Sequence, residues 1–149
     1  IRCGDIAARA DWIEALIDLQ VATSFGGVSP VAAELVLAAL SDGSYRKHLE
    51  HVRRRLNGAR RDVADKLERL GISRWMMPRG GFYLWCSLPD GRDSAAVARA
   101  ALRDDVVLAP GNVFSVSQNA SAYMRFNVAQ MGEPRIFAAL ERALAAAPD

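Results

Sequence analysis

The chain has 149 residues, 51% of them hydrophobic, and its 19 basic and 17 acidic side chains leave a net charge of +2. That length suits one domain, or a domain with an appendage, and can bury a real core; that charge is too small to argue for nucleic-acid or anionic-membrane binding as a property of the whole chain. No apolar run approaches the ~18 residues of a membrane span. Cys3 and Cys86 form neither a CxxC pair nor a metal cluster, and with no export signal they fit a soluble protein of the reducing cytoplasm.

In chain order, residues 1–8 read as a short strand already under way, in a sequence that lacks an initiator Met and looks like part of a longer protein. Trp12, Ile13, Leu16, Ile17 and Leu19 recur at helical spacing, which predicts a helix over about 10–23. "SFGGVSP" breaks it, and Ser29 with Pro30 reads as the N-cap and first position of a second, strongly apolar helix. From Tyr45 to about Leu70 one stripe of Leu49, Val52, Leu56, Ala59, Val63, Leu67 and Leu70 predicts a long amphipathic helix closed by Gly71. Its other faces carry His48, His51 and a series of arginines that includes Arg60 and Arg61. "ISRWMMP", "FYLWCSL", "VVLAP" and "AYMRFNVA" then read as strands. Ser94 is placed to cap a short helix through about Leu102, "GNVFSVSQNAS" reads as a polar loop, and "GEPRIFAALERALAAA" makes a final helix. The expected fold class is α+β: a small, mostly antiparallel sheet packed with helices and preceded by the long helix.

Few residues stand out chemically. With period two, Met124, Phe126 and Val128 share one face of the last strand, and Tyr123, Arg125 and Asn127 the other. A guanidinium held against a sheet calls for an anion matched to its planar fork, and the alternative is that this face is solvent. Arg2, before Gly4, poses the same choice between surface and anion site. Gly80 and Gly81 make a tight turn, or clear space beside a ligand walled by Phe82 or Tyr83; Pro110 and Gly111 form a similar turn. His48 and His51 have a chelating spacing but sit among arginines, which favours a solvated basic face over a metal site.

The order of these segments is more specific than any one of them. "IRCG", "GSYRKHLEHVRRRL", "PRGGFYLWCSLP", "VVLAPGNVF" and "YMRFNVA" together resemble the C-terminal part of fold-type I pyridoxal-phosphate aminotransferases. Within that superfamily the chain is most similar to the aminotransferase-like domain of MocR-type regulators of the GntR family. The resemblance implies that residues 1–43 end a large cofactor-binding domain, 44–71 form a connecting helix, and 72–149 form the C-terminal small domain. It implies that Arg125 pairs with the substrate α-carboxylate, that Arg2 contacts the phosphate of pyridoxal 5'-phosphate, and that Gly80, Gly81 and Phe82 lie near the substrate side chain. Asp5 departs from the aromatic or apolar residue usual at its position. The Schiff-base lysine is expected upstream of Ile1, since Lys47 and Lys66 match no cofactor position, so this chain should bind no cofactor and catalyse nothing alone. Implied partners are an amino acid or 2-oxo acid, a second copy in a homodimer, and DNA only through a separate domain. A free-standing amino-acid aminotransferase and a non-catalytic dimerisation or packing module are the alternatives.

Overall fold

A computed structural model of the chain describes residues 3–24 and 27–147. These divide into two compact units, one up to His51 and the other from Val52 onward, with the division inside the longest helix.

The first unit holds helix α1 (Ala10–Ser24), helix α2 (Pro30–Ser41) and the opening turns of helix α3 (Ser44–Arg69). Residues 3–9 have no regular structure, contrary to the expected opening strand. A strand needs a neighbour to satisfy its backbone groups, and among the described residues none pairs with this segment. Pro30 occupies the first turn of α2 as expected, but the Ser29 side chain makes no capping hydrogen bond. Neither α1 nor α2 buries a residue, so Trp12, Ile17, Leu37 and Leu40 remain exposed.

The second unit is a four-stranded antiparallel sheet with helices on one face. Strands β1 (Ser73–Arg74), β2 (Tyr83–Ser87), β3 (Ala109–Pro110) and β4 (Tyr123–Asn127) lie in the order β1-β2-β4-β3. The central pair runs in register from Tyr83 opposite Asn127 to Ser87 opposite Tyr123. Leu84 and Cys86 of β2 and Met124 and Phe126 of β4 therefore point the same way, into the core, and each is at most 2% exposed. Covering them are Val63 and Leu67 of α3, Val97 and Ala101 of helix α4 (Ser94–Ala101), and Leu140 and Leu144 of helix α5 (Pro134–Ala146). Each is a stripe at three- or four-residue spacing, the pattern that made these helices legible.

The outer strands are shorter than the sequence predicts. "ISRWMMP" contributes only Ser73 and Arg74, because β1 pairs with the C-terminal end of β2 alone; Trp75 adds one backbone bond to Trp85 before the chain turns away. "VVLAP" contributes only Ala109 and Pro110. The cap of α4 is Asp93 rather than Ser94: its carboxylate accepts from the amides of Ala95 and Ala96, both at 3.2 Å. Ser94 is instead buried, and its hydroxyl accepts from Gly111 N at 3.2 Å.

Candidate anion site on the open face of the sheet

Alternation that buries Met124 and Phe126 sends Tyr123, Arg125 and Asn127 to the opposite face, where β2 contributes Tyr83 and Trp85. Arg125 is half-buried there, not solvated. Its guanidinium carbon lies 4.1 Å from the centre of the Tyr83 ring and 3.9 Å from that of Phe114. A planar cation flanked by two π faces gains roughly 0.5–1 kcal/mol from each ring, since Tyr83 and Phe114 themselves remain partly exposed. The surrounding aromatics brace this arrangement. Trp85 stacks on Tyr123 with centroids 5.6 Å apart and meets Phe114 edge-on at 6.1 Å.

The rings leave the polar edge of the guanidinium for something else. Arg125 Nε is buried without a hydrogen-bond acceptor, and Arg125 enters no ion pair among the described residues. A buried, charged donor left without an acceptor costs at least about 1–3 kcal/mol. Arg125 faces a cavity of about 430 Å³ that Tyr83, Leu108, Asn127 and Ile136 also line. Asp105 and Arg135 line it as well, and Arg135 is already paired with Glu133 at 2.7 Å.

The turn before β2 is held from behind. Gly81 adopts φ +73°, a conformation that favours glycine, and its carbonyl accepts a hydrogen bond from Arg60 of α3. Arg60 also donates to Asn57 Oδ1 and is only 5% exposed, so it does not belong to the solvated basic face on which the helical pattern placed it. The ring of Phe82 packs on Tyr83 with centroids 4.5 Å apart, and Tyr83 in turn covers Arg125. Gly80 is exposed at the turn.

Of the other candidates, Arg2 lies outside the described residues. His48 and His51 are both exposed on α3, in the first unit. Lys66 pairs with Asp62 at 2.8 Å, has its ammonium 5.2 Å from the centre of the Phe137 ring, and does not line the Arg125 cavity. Lys47 belongs to the first unit. The described residues around Arg125 thus suit a carboxylate and include no amine to hold an aldehyde cofactor.

Sequence reasoning missed Phe114, assigned to a polar loop, and Arg60. Gly111–Phe114 is a tight helical turn, closed by Asn112, whose side-chain oxygen accepts from Ala120 N at 2.9 Å. The available signal for the aromatic cage was the alternation of Tyr83 and Trp85, which places both on Arg125's face once β2 and β4 pair.

Comparison with known proteins gives this geometry a context. The family model for aminotransferase class I and II matches residues 1–142. The chain is 32% identical over 137 residues to the uncharacterized HTH-type transcriptional regulator YisV of Bacillus subtilis, covering 89% of this chain and 28% of that protein. It is 33% identical over 118 residues to the uncharacterized HTH-type transcriptional regulator YdcR of Escherichia coli, covering 77% of this chain and 25% of that protein. Among solved structures it resembles LysN, the alpha-aminoadipate aminotransferase of Thermus thermophilus, complexed with N-(5'-phosphopyridoxyl)-L-leucine. That match has a TM-score of 0.79 at 24% identity and covers 93% of this chain and 36% of that one. The chain thus spans roughly a quarter to a third of the length of these relatives. With the family model matching residues 1–142, the chain belongs to the class I and II aminotransferase family.

Proposed function

We propose that this chain is the C-terminal part of a pyridoxal-phosphate-binding, aminotransferase-like domain that serves a MocR-type regulator of the GntR family as its effector-binding domain. In this reading Arg125 takes the α-carboxylate of an amino acid or 2-oxo acid, and Gly81 and Phe82 border its side chain. Arg2 contacts the cofactor phosphate. Residues 1–43 close the large domain, 44–71 connect, and 72–149 form the small domain. The parent acts in the cytoplasm as a homodimer and meets DNA through a separate domain.

One observation carries the reading: Arg125 is clamped between Tyr83 and Phe114 with its Nε buried and without an acceptor. The clamp leaves the edge of the fork as the face that a ligand can meet, and a carboxylate presents two oxygens in the plane that this edge requires. Pyridoxal phosphate, when bound, supplies the electron sink that loosens bonds at an amino acid's α-carbon. What these residues contribute is binding and orientation: the carboxylate is held at Arg125, and the rings on both sides keep the fork in one plane.

The regulator reading draws on the relatives of B. subtilis and E. coli, both described as HTH-type transcriptional regulators. A free-standing aminotransferase is the second reading, favoured by the likeness of the sheet and its helices to LysN. Two measurements on the full-length protein separate them. We expect a DNA-binding segment upstream, and a cofactor absorbance band that shifts on titration with particular amino acids and is not followed by release of a 2-oxo acid. Steady turnover to a 2-oxo acid with no DNA-binding segment would establish the enzyme instead. No cofactor band and no response to any amino acid would leave only a packing module.

A further inference from the structure

We infer that Arg60 is a positioning residue for the anion site, a latch on α3 that holds the Tyr83 ring over Arg125. Three contacts, linked in sequence, carry this. Arg60, 5% exposed, donates from one terminal nitrogen to Gly81 O and from the other to Asn57 Oδ1, three residues earlier on the same helix. Gly81 stands at φ +73° immediately before Phe82, whose carbonyl accepts from Val128 N at 2.9 Å and so closes the end of the β2–β4 ladder. The next residue is Tyr83, whose ring lies 4.1 Å from the Arg125 guanidinium carbon.

Its place behind the turn, outside the lining of the cavity, is what makes Arg60 a positioning residue and not a binding one. Its charge is spent on a carbonyl and an amide behind the turn, and it does not line the Arg125 cavity. A buried arginine is costly to desolvate, and a neutral side chain would pack α3 against the turn at less cost. Its planar fork does something that such a side chain cannot. It ties a loop carbonyl and a helix side chain together in one plane, which fixes where β2 begins and hence where the first β2 side chain sits.

This inference rests on the carboxylate reading only for its functional meaning; the latch itself is testable without a ligand. The probe is the Arg125 side-chain Nε–H resonance in the full chain, which ring currents from Tyr83 and Phe114 displace upfield. Y83L calibrates the share of that displacement due to Tyr83. In R60Q we expect the resonance to lose the same share, and R60Q/Y83L to move it no further. R60K, which keeps the charge but not the fork, should recover the displacement only in part. N57A removes one latch acceptor at an exposed position and should shift the resonance in the same direction by less, which decides the matter if R60Q does not fold. Propionate is then titrated on the same resonance, and its affinity should fall about fivefold in R60Q, the cost of ordering on binding one long side chain that is no longer held in place. An Arg125 resonance unmoved in R60Q, or in N57A where R60Q does not fold, would overturn the latch, even if the melting temperature drops. A wild-type resonance that propionate leaves in place would instead overturn the carboxylate reading and leave the latch standing.

Discussion

Gly111→Ala tests how the anion site is assembled, because Gly111 joins β3 to the turn that presents Phe114. A Cβ built on Gly111 would lie 2.2 Å from the carbonyl oxygen of Ala120 and 2.6 Å from that of Tyr123. Both are backbone atoms, so no side chain can swing aside. To reach ordinary van der Waals separation Ala120 O would have to retreat by roughly 1 Å. It is pinned by the amide of Tyr123 at 3.0 Å, while Ala120 N is pinned by Asn112 Oδ1 at 2.9 Å. Overpacking of about 1–3 kcal/mol and the loss of about one hydrogen bond give a destabilisation of roughly 3 kcal/mol. In a cooperative unit of roughly 100 residues, the span from Val52 onward, that lowers the melting temperature by about 15 °C. Thermal unfolding followed by circular dichroism measures it, with Gly58→Ala as control: inside α3, with nothing within 4 Å of a Cβ, that change should stabilise by about 0.5–1 kcal/mol. A Gly111→Ala protein melting within a few degrees of wild type would show that the two backbone segments are not in contact, and the placement of Phe114 against Arg125 would fall with them.

Asp93→Ala removes the carboxylate that caps α4 and should cost about 1 kcal/mol in denaturant unfolding, whereas Ser41→Ala, at an exposed hydroxyl that only returns a bond to Leu37 O, should be near neutral. Burial pushes the Cys86 thiol up from 9.0 to about 12, while Cys3 is exposed. A disulfide reagent at pH 8 should therefore modify one thiol per folded chain and two in denaturant; two fast thiols in the folded protein would contradict the packing of β2. The same shift sets a pH dependence. The unfolded thiol ionises above pH 9 while the folded one stays protonated, so stability falls by up to about 1.4 kcal/mol per pH unit between 9 and 12. Cys86→Ala should remove that part of the alkaline loss, and an unchanged slope would refute the assignment.

Much of the second unit was legible in the sequence because its signals are local. Met124, Phe126 and Val128 alternate with Arg125 at the period of a strand, and Val63, Leu67 and Leu70 recur at that of a helix; each pattern survives folding because each segment buries one face. What was not legible depends on partners far along the chain. The extents of β1 and β3 are set by how far their neighbours run beside them, which is why Trp75, Met76 and Val107 ended up outside strands despite their composition. Asp93 and Ser94 are both good caps one residue apart, and the choice fell to Asp93 because Ser94 is engaged by Gly111. Arg60 looked like one more cation on a basic helix, since nothing local marks the turn 21 residues later that it holds. Arg125 kept two readings open for the same reason: alternation gives its face, and only the pairing of β2 with β4 brings Tyr83 to its side.

The most direct test of the central claim, that Arg125 binds a carboxylate, compares an amino acid with its own amide. In the full-length protein loaded with pyridoxal phosphate, calorimetric titration of the preferred L-amino acid and of its carboxamide should differ about a hundredfold in affinity, the worth of one charge-assisted, two-pronged contact. Arg125→Ala should weaken the acid to the level of the amide and leave the amide unchanged. Equal binding of acid and amide by the wild type, or an undiminished preference for the acid in Arg125→Ala, would contradict the account.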